Sequence, residues 1–359
     1  MAQGPSQLAI VTGVPGWLGS RLVESLINGL SDPNLPDLSA QSNRPVRALS
    51  LPGEDVSKLA HLGSQLTVVP GDLTTGEGLS KLFKDSYGAT VFHAAGIIHP
   101  SAGCKQFYQV NTEGTEHLLQ AAAAAGVRRF IHVSSNSPIG TNPAPVKLFD
   151  ENSPYNPYMH YGKSKKLGED LVNKAGQNSK GGGMETVIIR PPWFYGPGQP
   201  PRQTLFFTMI KNGKAPIVGS GQCLRSMAYI DNICQGLMLC ETSAQANGQT
   251  YWIADSQPYT MNQIVDTIEK LLETEFHLPV AHKRMRLPDI ASDVAQLVDA
   301  TLQKLGLYQQ KIHVLSEMNK NIACSIDKAR RELGYNPQIA LEMGMRRSIK
   351  YVIASGQTI

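Results

Sequence analysis

No stretch of this 359-residue sequence approaches the roughly 18 consecutive apolar residues of a membrane-spanning helix. Met1 to Gln7 lacks a basic segment leading into an apolar run, so no signal peptide is expected, and a cytoplasmic address follows as the expectation. Cysteine is scarce. Cys104, Cys223, Cys234, Cys240 and Cys324 are odd in number, and no pair has Cys-x-x-Cys spacing. A disulfide framework and a zinc site are therefore not expected; buried free thiols are. Charged residues make up only 17 % of the chain, the net charge is +4, and Lys and Arg are dispersed. Without a basic stripe the sequence does not read as a nucleic-acid binder. Gly-x-Ser-x-Gly is absent, which removes the hydrolase elbow.

What is present is a rhythm. Short apolar runs at Leu8–Val11, Val46–Leu49, Leu66–Val69, Thr90–His93, Phe130–Val133 and Thr186–Ile189 read as buried strands. Helical stretches lie between most of them, notably Trp17–Asn28, Lys105–Ala125 and Met159–Asn178. Such alternation predicts parallel strands with right-handed crossovers, a doubly wound α/β sheet. Leu30–Arg44 and Asn178–Gly183 are rich in turn formers, and the second predicts a flexible surface loop. After Arg190 prolines crowd the chain and the elements shorten. Residues 1–190 thus read as a dinucleotide-binding domain. Residues 191–359 read mainly as a smaller substrate lobe, with some elements returning to the sheet. Helices are expected there at Asp231–Cys240, Thr260–Leu272 and Asp289–Leu305.

Gly13, Gly16, Trp17, Leu18 and Gly19 follow the first strand and open the first helix. Glycines at this spacing permit a tight turn and let backbone N–H groups and a helix N-terminus approach a pyrophosphate. Asp72 and Leu73 follow the third strand, where the Asp meets an adenine amino group or merely caps a turn. Ala94, Ala95 and Gly96 follow the fourth strand and are small enough for a ribose and phosphates to pass. Ser50 ends the second strand, where an acid would select NAD through its 2′-hydroxyl. Its absence, with Arg44 and Arg47 nearby, leans toward NADP; NAD or NADP remains the reading.

Tyr161 and Lys165 share one helix face at i, i+4. Of twelve tyrosines only Tyr161 has this partner. A neighbouring ammonium is expected to lower the phenol's pKa and let it exchange a proton with an alcohol or ketone. Ser134 and Ser135 end the fifth strand, where a hydroxyl can hold the substrate oxygen. His93 and His132 read as packed strand residues. His99 reads first as a surface-loop residue, with a place in the substrate pocket as the alternative.

In order and spacing, ThrGlyValProGlyTrpLeuGly at 12–19, GlyAspLeu at 71–73, PheHisAlaAlaGly at 92–96, HisValSerSer at 132–135, TyrGlyLysSerLys at 161–165, ArgProProTrpPheTyrGlyProGly at 190–198, TyrIleAspAsn at 229–232 and GluLeuGlyTyrAsnPro at 332–337 resemble the extended short-chain dehydrogenase/reductase family. The likeness runs from Leu8 to about Ile349. It implies that Tyr161 is the acid/base and that Lys165 binds the nicotinamide ribose. Ser135 becomes the catalytic hydroxyl and Asn111 the structural Asn of the fourth helix. Pro191, Pro192 and Trp193 border the nicotinamide, with Trp193 reaching the substrate. It also implies a homodimer through Lys105–Ala125 and Met159–Asn178. Arg225, seven residues before Asn232, resembles the Arg that grips a nucleotide sugar's pyrophosphate. By contrast, Tyr251–Pro258 and Leu287–Leu305 resemble 3β-hydroxysteroid dehydrogenase-like and dihydroflavonol-reductase-like members, which take apolar alcohols or ketones. Dehydratases and decarboxylases of the family carry acids where this sequence has Asn136 and Ser137, which disfavours both reactions. Three functions remain: a dehydrogenase/reductase of a small molecule, an NDP-hexose 4-epimerase retaining its cofactor, and a catalytically silent dinucleotide-binding scaffold.

Overall fold

The computed structural model describes residues 4–359 except 31, 36–37, 39–42 and 178–182, so most of the expected 178–183 loop and part of the 30–44 insertion lie outside the described residues. Six strands follow the apolar runs: β1 (Ala9–Thr12), β2 (Val46–Ser50), β3 (Leu66–Pro70), β4 (Thr90–His93), β5 (Arg129–Val133) and β6 (Glu185–Arg190). A seventh, β7 (Gln249–Trp252), joins from the second half of the chain. The order is β7-β6-β5-β4-β1-β2-β3, with every pairing parallel. Both faces are covered, as a parallel sheet requires. Ala9, Val11, Phe92, Ile131 and Val187 point to one side, and Ile10, Val91, Phe130 and Ile188 to the other. Each such fully buried Ile, Val or Phe stabilises the fold by roughly 1.5–3 kcal/mol relative to exposure.

Helix α1 (Trp17–Asn28) packs on the first side, burying Leu22 and Leu26. On the second side lie α2 (Gly114–Ala124), with Leu118 and Ala122, and α3 (Met159–Gln177), with Val172. The single helix expected over 105–125 is three pieces: Lys105–Tyr108, a wider π-type turn at Gln109–Glu113, and α2. That turn puts Asn111 inside the protein. The first face is completed by α4 (Ile230–Thr242), whose Asp231 takes Arg21 of α1 at 2.5 Å. Glu241 of α4 forms a buried ion pair with Arg44 at 2.5 Å.

The smaller elements include α5 (Met261–Thr274), closed by a Thr260–Gln263 capping box. Three two-stranded sheets pair Trp193–Tyr195 with Met227–Tyr229, Leu224–Arg225 with Tyr259–Thr260, and Pro216–Val218 with Met285–Leu287. Two helices, α6 (Ile290–Lys304) and α7 (Gln310–Glu317), form a hairpin against the start of α3. The topology reverses between β1 and β4, and such a switch point opens a crevice at the strands' C-terminal ends. Thr12, His93 and Val133 end there.

Candidate active site

The loop after β1 is shaped by close approach. Gly13 has φ +88°, and a Cβ on it would meet the Ala94 carbonyl and the Ala95 nitrogen at 2.8 Å. No side chain caps α1, whose N-cap is Gly16, so the helix N-terminus faces the crevice without an internal acceptor. Trp17 ties the start of α1 down by donating from Nε1 to the Pro197 carbonyl at 2.7 Å, and Leu18 is buried. A glycine cradle pressed on the β4 loop, under a free helix N-terminus, fits a dinucleotide's pyrophosphate.

Beneath the cradle lies a network that sequence reading did not foresee. Thr115 donates to the Asn111 carbonyl at 2.9 Å, so His93 Nε2–H must donate to Thr115 Oγ1, also at 2.9 Å. His93 Nδ1 then accepts from Thr12 Oγ1 at 2.8 Å, and Thr12 Oγ1 accepts from the Ala95 nitrogen at 3.2 Å. Burial and the nearby Lys165 push the His93 pKa down to about 3, which keeps the ring neutral in this role. The Asn111 side chain accepts from Ile97 N at 2.8 Å and donates to Ile97 O at 3.0 Å and to Ser164 Oγ at 3.1 Å. It pins the β4 loop to α3.

The first turn of α3 abuts the end of β5. A Cβ on Gly162 would lie 2.5 Å from the Ser137 carbonyl, so only glycine lets the two come so close. Ser135 Oγ takes the Ser137 N–H at 3.3 Å. It also stands at the Tyr161 hydroxyl and lowers that group's pKa. Burial dominates, however, and drives Tyr161 up to about 12. This corrects the expectation that Lys165 lowers it: the cost of burying a phenolate wins. Lys165 Nζ donates to the Val133 carbonyl at 2.9 Å and lies 3.5 Å from His132 Nε2. A Cβ on Gly96 would be 3.9 Å from the same Nζ. Burial brings Lys165 down to about 8, and Glu169 counters part of that fall. His132 is fully buried, and burial with the neighbouring Lys165 holds its pKa well below the usual value. The ring is therefore neutral, and its Nδ1 has no partner among the described residues.

Glu169 continues the Tyr161, Lys165 face by one more turn. It is buried, takes Arg190 at 2.7 Å, and accepts from Ser134 Oγ at 2.5 Å and Tyr155 at 2.7 Å. The i, i+4, i+8 spacing was the signal that could have found it.

The family model of the 3-beta hydroxysteroid dehydrogenase/isomerase family matches residues 10–282. The chain belongs to that family. It is 47 % identical to the uncharacterized protein y4nL of Sinorhizobium fredii, covering 98 % of this chain and 96 % of the other. It is 30 % identical to the 3-beta-hydroxysteroid dehydrogenase of Mycolicibacterium neoaurum, covering 95 % and 90 %. Among solved structures the fold matches UDP-glucuronic acid 4-epimerase from Bacillus cereus in complex with NAD, at TM-score 0.72 and 22 % identity over 97 % of this chain and 99 % of that one. The 3-beta hydroxysteroid dehydrogenase/isomerase membership and this fold place the chain among extended short-chain dehydrogenases/reductases.

The remaining candidates of this family member fall in five places. Ser50 ends β2 and is buried. Arg44 is taken by Glu241 at the opposite end of the strand, and Arg47 donates to the Leu82 and Lys84 carbonyls, at 2.6 and 2.7 Å. Neither supports the lean toward NADP. Asp72 Oδ1 accepts from Thr74 N at 2.8 Å, which is the turn-cap alternative, and Leu73 is in the core. Pro191 and Pro192 follow β6 and are buried, while Trp193 is exposed with its ring 5.8 Å from Phe206.

His99 lies in the loop after β4. It is half-buried, its Nδ1 lies 2.7 Å from the Tyr308 hydroxyl, and burial brings its pKa down to about 4. Tyr308 packs edge-on against Phe107 at 5.5 Å, and Phe107 packs on Tyr161 at 5.8 Å. The α6–α7 hairpin thus supplies an aromatic wall beside Tyr161. Arg225 is buried, and its Nη2 donates to the Glu317 carbonyl while Nε has no partner among the described residues.

Proposed function

We propose that the chain is an NAD(P)-dependent oxidoreductase that interconverts a secondary alcohol and a ketone on an apolar small molecule, using Ser135, Tyr161 and Lys165. The observation that carries this reading is the convergence of Tyr161, Ser135 and Lys165 at the mouth of the β1–β4 crevice, beside Phe107 and Tyr308. Asn136 and Ser137 stand where elimination or decarboxylation would need an acid or base. The 30 % identity to a steroid dehydrogenase supports the apolar substrate.

Gly13, Gly16, Trp17, Leu18 and Gly19 would hold the pyrophosphate against the α1 N-terminus. Ser50 would face the adenosine ribose, and Asp72 and Leu73 the adenine. Ala94–Gly96, Lys165, Pro191 and Pro192 would line the nicotinamide half. When bound, the cofactor supplies or accepts the hydride. Tyr161, protonated at neutral pH, donates its proton to the ketone oxygen while Ser135 holds that oxygen. Lys165 has one N–H spent on Val133 and faces the lone pair of neutral His132, which leaves its remaining donor for the ribose. Ser50 offers no carboxylate to a 2′-hydroxyl, so both NAD and NADP are candidates. Dimerisation would run through the α2 and α3 helices.

A second reading, NDP-hexose 4-epimerisation on retained NAD, draws on Arg225 Nε, which has no partner among the described residues. A silent scaffold does not explain an intact Ser135, Tyr161 and Lys165. The test is a thermal-shift screen with NAD, NADP, UDP-hexoses and hydrophobic ketones, followed by reduced-cofactor consumption. Ketone-dependent consumption supports the oxidoreductase. Stabilisation by UDP-hexose with cofactor that survives purification supports the epimerase, and a shift with NAD or NADP without turnover of any substrate supports the scaffold.

A further inference from the structure

Across the floor of the crevice three polar side chains stand in register. Thr12 of β1 pairs with His93 of β4, and His93 with His132 of β5. Each lies two residues beyond Ile10, Val91 or Phe130, so all three face the side covered by α2 and α3. On β6 the same row ends in the apolar Ile188. The rings of His93 and His132 are 5.2 Å apart. Thr12 and His93 are both engaged in the network beneath the cradle. His132 is wholly buried, and its one hydrogen-bond contact among the described residues is Lys165 Nζ, 3.5 Å from Nε2, while Nδ1 has none. A phenylalanine or leucine would fill this place without stranding a buried donor, so the imidazole calls for an explanation in what Nε2 does.

Donor and acceptor roles fix the tautomer. An ammonium only donates, so the ring nitrogen that faces it carries the lone pair and the proton sits on Nδ1. Burial and the nearby Lys165 hold the His132 pKa well below its usual value, so that lone pair is on offer across the neutral range. The close seating of α3 on β5 is set by Gly168, three residues beyond Lys165. A Cβ there would press to 2.9 Å on the Asn111 carbonyl and touch His132 Nε2 at 3.5 Å. Glycine lets α3 settle, which brings Lys165 within reach of the ring.

Few groups offset the cost of burying this ammonium. On α3, Glu169 favours it, but the Glu169 carboxylate is shared with Arg190 of β6, with Ser134 and with Tyr155. Tyr161 on the same helix is protonated at neutral pH. His93 of β4 is neutral. The direct acceptors are the Val133 carbonyl at 2.9 Å and His132 Nε2. Among the described residues, His132 is thus the one side chain that accepts from Lys165.

We propose that His132 is a positioning residue for Lys165: as the Nδ1-protonated tautomer it gives its Nε2 lone pair to the ammonium and, with the Val133 carbonyl, aims the remaining N–H into the crevice. This rests on the reading of Lys165 as the group that meets the ribose. His132 itself does not titrate in the working range. Without its lone pair the charged form of Lys165 loses support, and the lysine releases its proton at lower pH.

Two substitutions separate the acceptor from the packing. His132→Phe keeps a ring and removes the lone pair, and His132→Gln returns an acceptor oxygen near the place of Nε2. Urea unfolding from neutral pH to about pH 10 is read for each chain against the same chain carrying Lys165→Met, so that other titrating groups cancel. The stability that the wild type gains as Lys165 deprotonates should set in about one pH unit lower in the Phe variant, and at the wild-type pH in the Gln variant. With the cofactor and ketone from the screen, the alkaline limb of the kcat profile should move by the same amount in the Phe variant alone. Long-range proton–nitrogen spectra of the wild-type chain with labelled histidine should place the His132 proton on Nδ1, and they need no variant that folds. A Phe variant with the wild-type onset overturns the proposal. So do Phe and Gln variants displaced alike, or a His132 proton found on Nε2. If no ketone is turned over, the proposed reaction fails, while the unfolding profiles and the tautomer still decide the role of His132.

Discussion

Replacing Lys165 with methionine should stabilise the cofactor-free protein at neutral pH while ending turnover. Burial lowers the Lys165 pKa from 10.5 to about 8, so the folded state releases the proton more readily than the unfolded chain. Below pH 8 both states are charged, and the folded protein bears the full cost of the buried ammonium, about 3 kcal/mol. Between pH 8 and 10.5 the folded state deprotonates first, so that cost fades and wild-type stability rises with pH. Methionine keeps the unbranched stem and carries no charge. It forfeits the bond to the Val133 carbonyl, a pH-independent loss of about 1 kcal/mol. The variant should therefore be more stable than wild type by about 2 kcal/mol at pH 7, and no more stable at pH 10. Urea unfolding of both proteins at the two pH values measures the difference, in which other titrating groups cancel. A variant less stable at pH 7, by an amount that does not change at pH 10, would refute the reasoning.

Glu169→Gln strands the Arg190 guanidinium in the interior and should cost about 3–5 kcal/mol in denaturant unfolding. It also removes the charge that holds Lys165 up, so the alkaline limb of the turnover profile should move to lower pH. Gly13→Ala forces a Cβ to within 2.8 Å of the Ala94 carbonyl at a positive φ, and should abolish the thermal shift produced by NAD or NADP. Arg225→Ala should weaken a UDP-hexose if Nε meets its pyrophosphate, measured by calorimetric titration; unchanged affinity leaves Arg225 holding only Glu317.

Much of this was legible in the chain. Apolar runs such as Thr90–His93 became strands because a parallel sheet buried on both faces needs continuous hydrophobicity. The 12–19 loop was readable because its glycines answer local sterics. Tyr161 and Lys165 were readable from their spacing along one helix. What escaped were long-range contacts. The tie from His93 to Thr12 and Thr115, and the packing of Tyr308 on Phe107, join residues about 20 to 200 positions apart that no local pattern links. The direction of the Tyr161 pKa was misread because spacing reports its neighbours and not its burial. The π-type turn at Gln109–Glu113 was hidden inside a continuous helical pattern, since its purpose is tertiary: it aims Asn111 at Ile97.

In the proposed reaction Tyr161 moves the proton while the surrounding cradle only binds. Tyr161→Phe keeps the ring against Phe107 and removes the hydroxyl alone. With the ketone and cofactor identified by the screen, kcat should fall by about 10²–10⁴-fold while the cofactor's Kd stays at the wild-type value. Turnover that matches wild type would contradict the account.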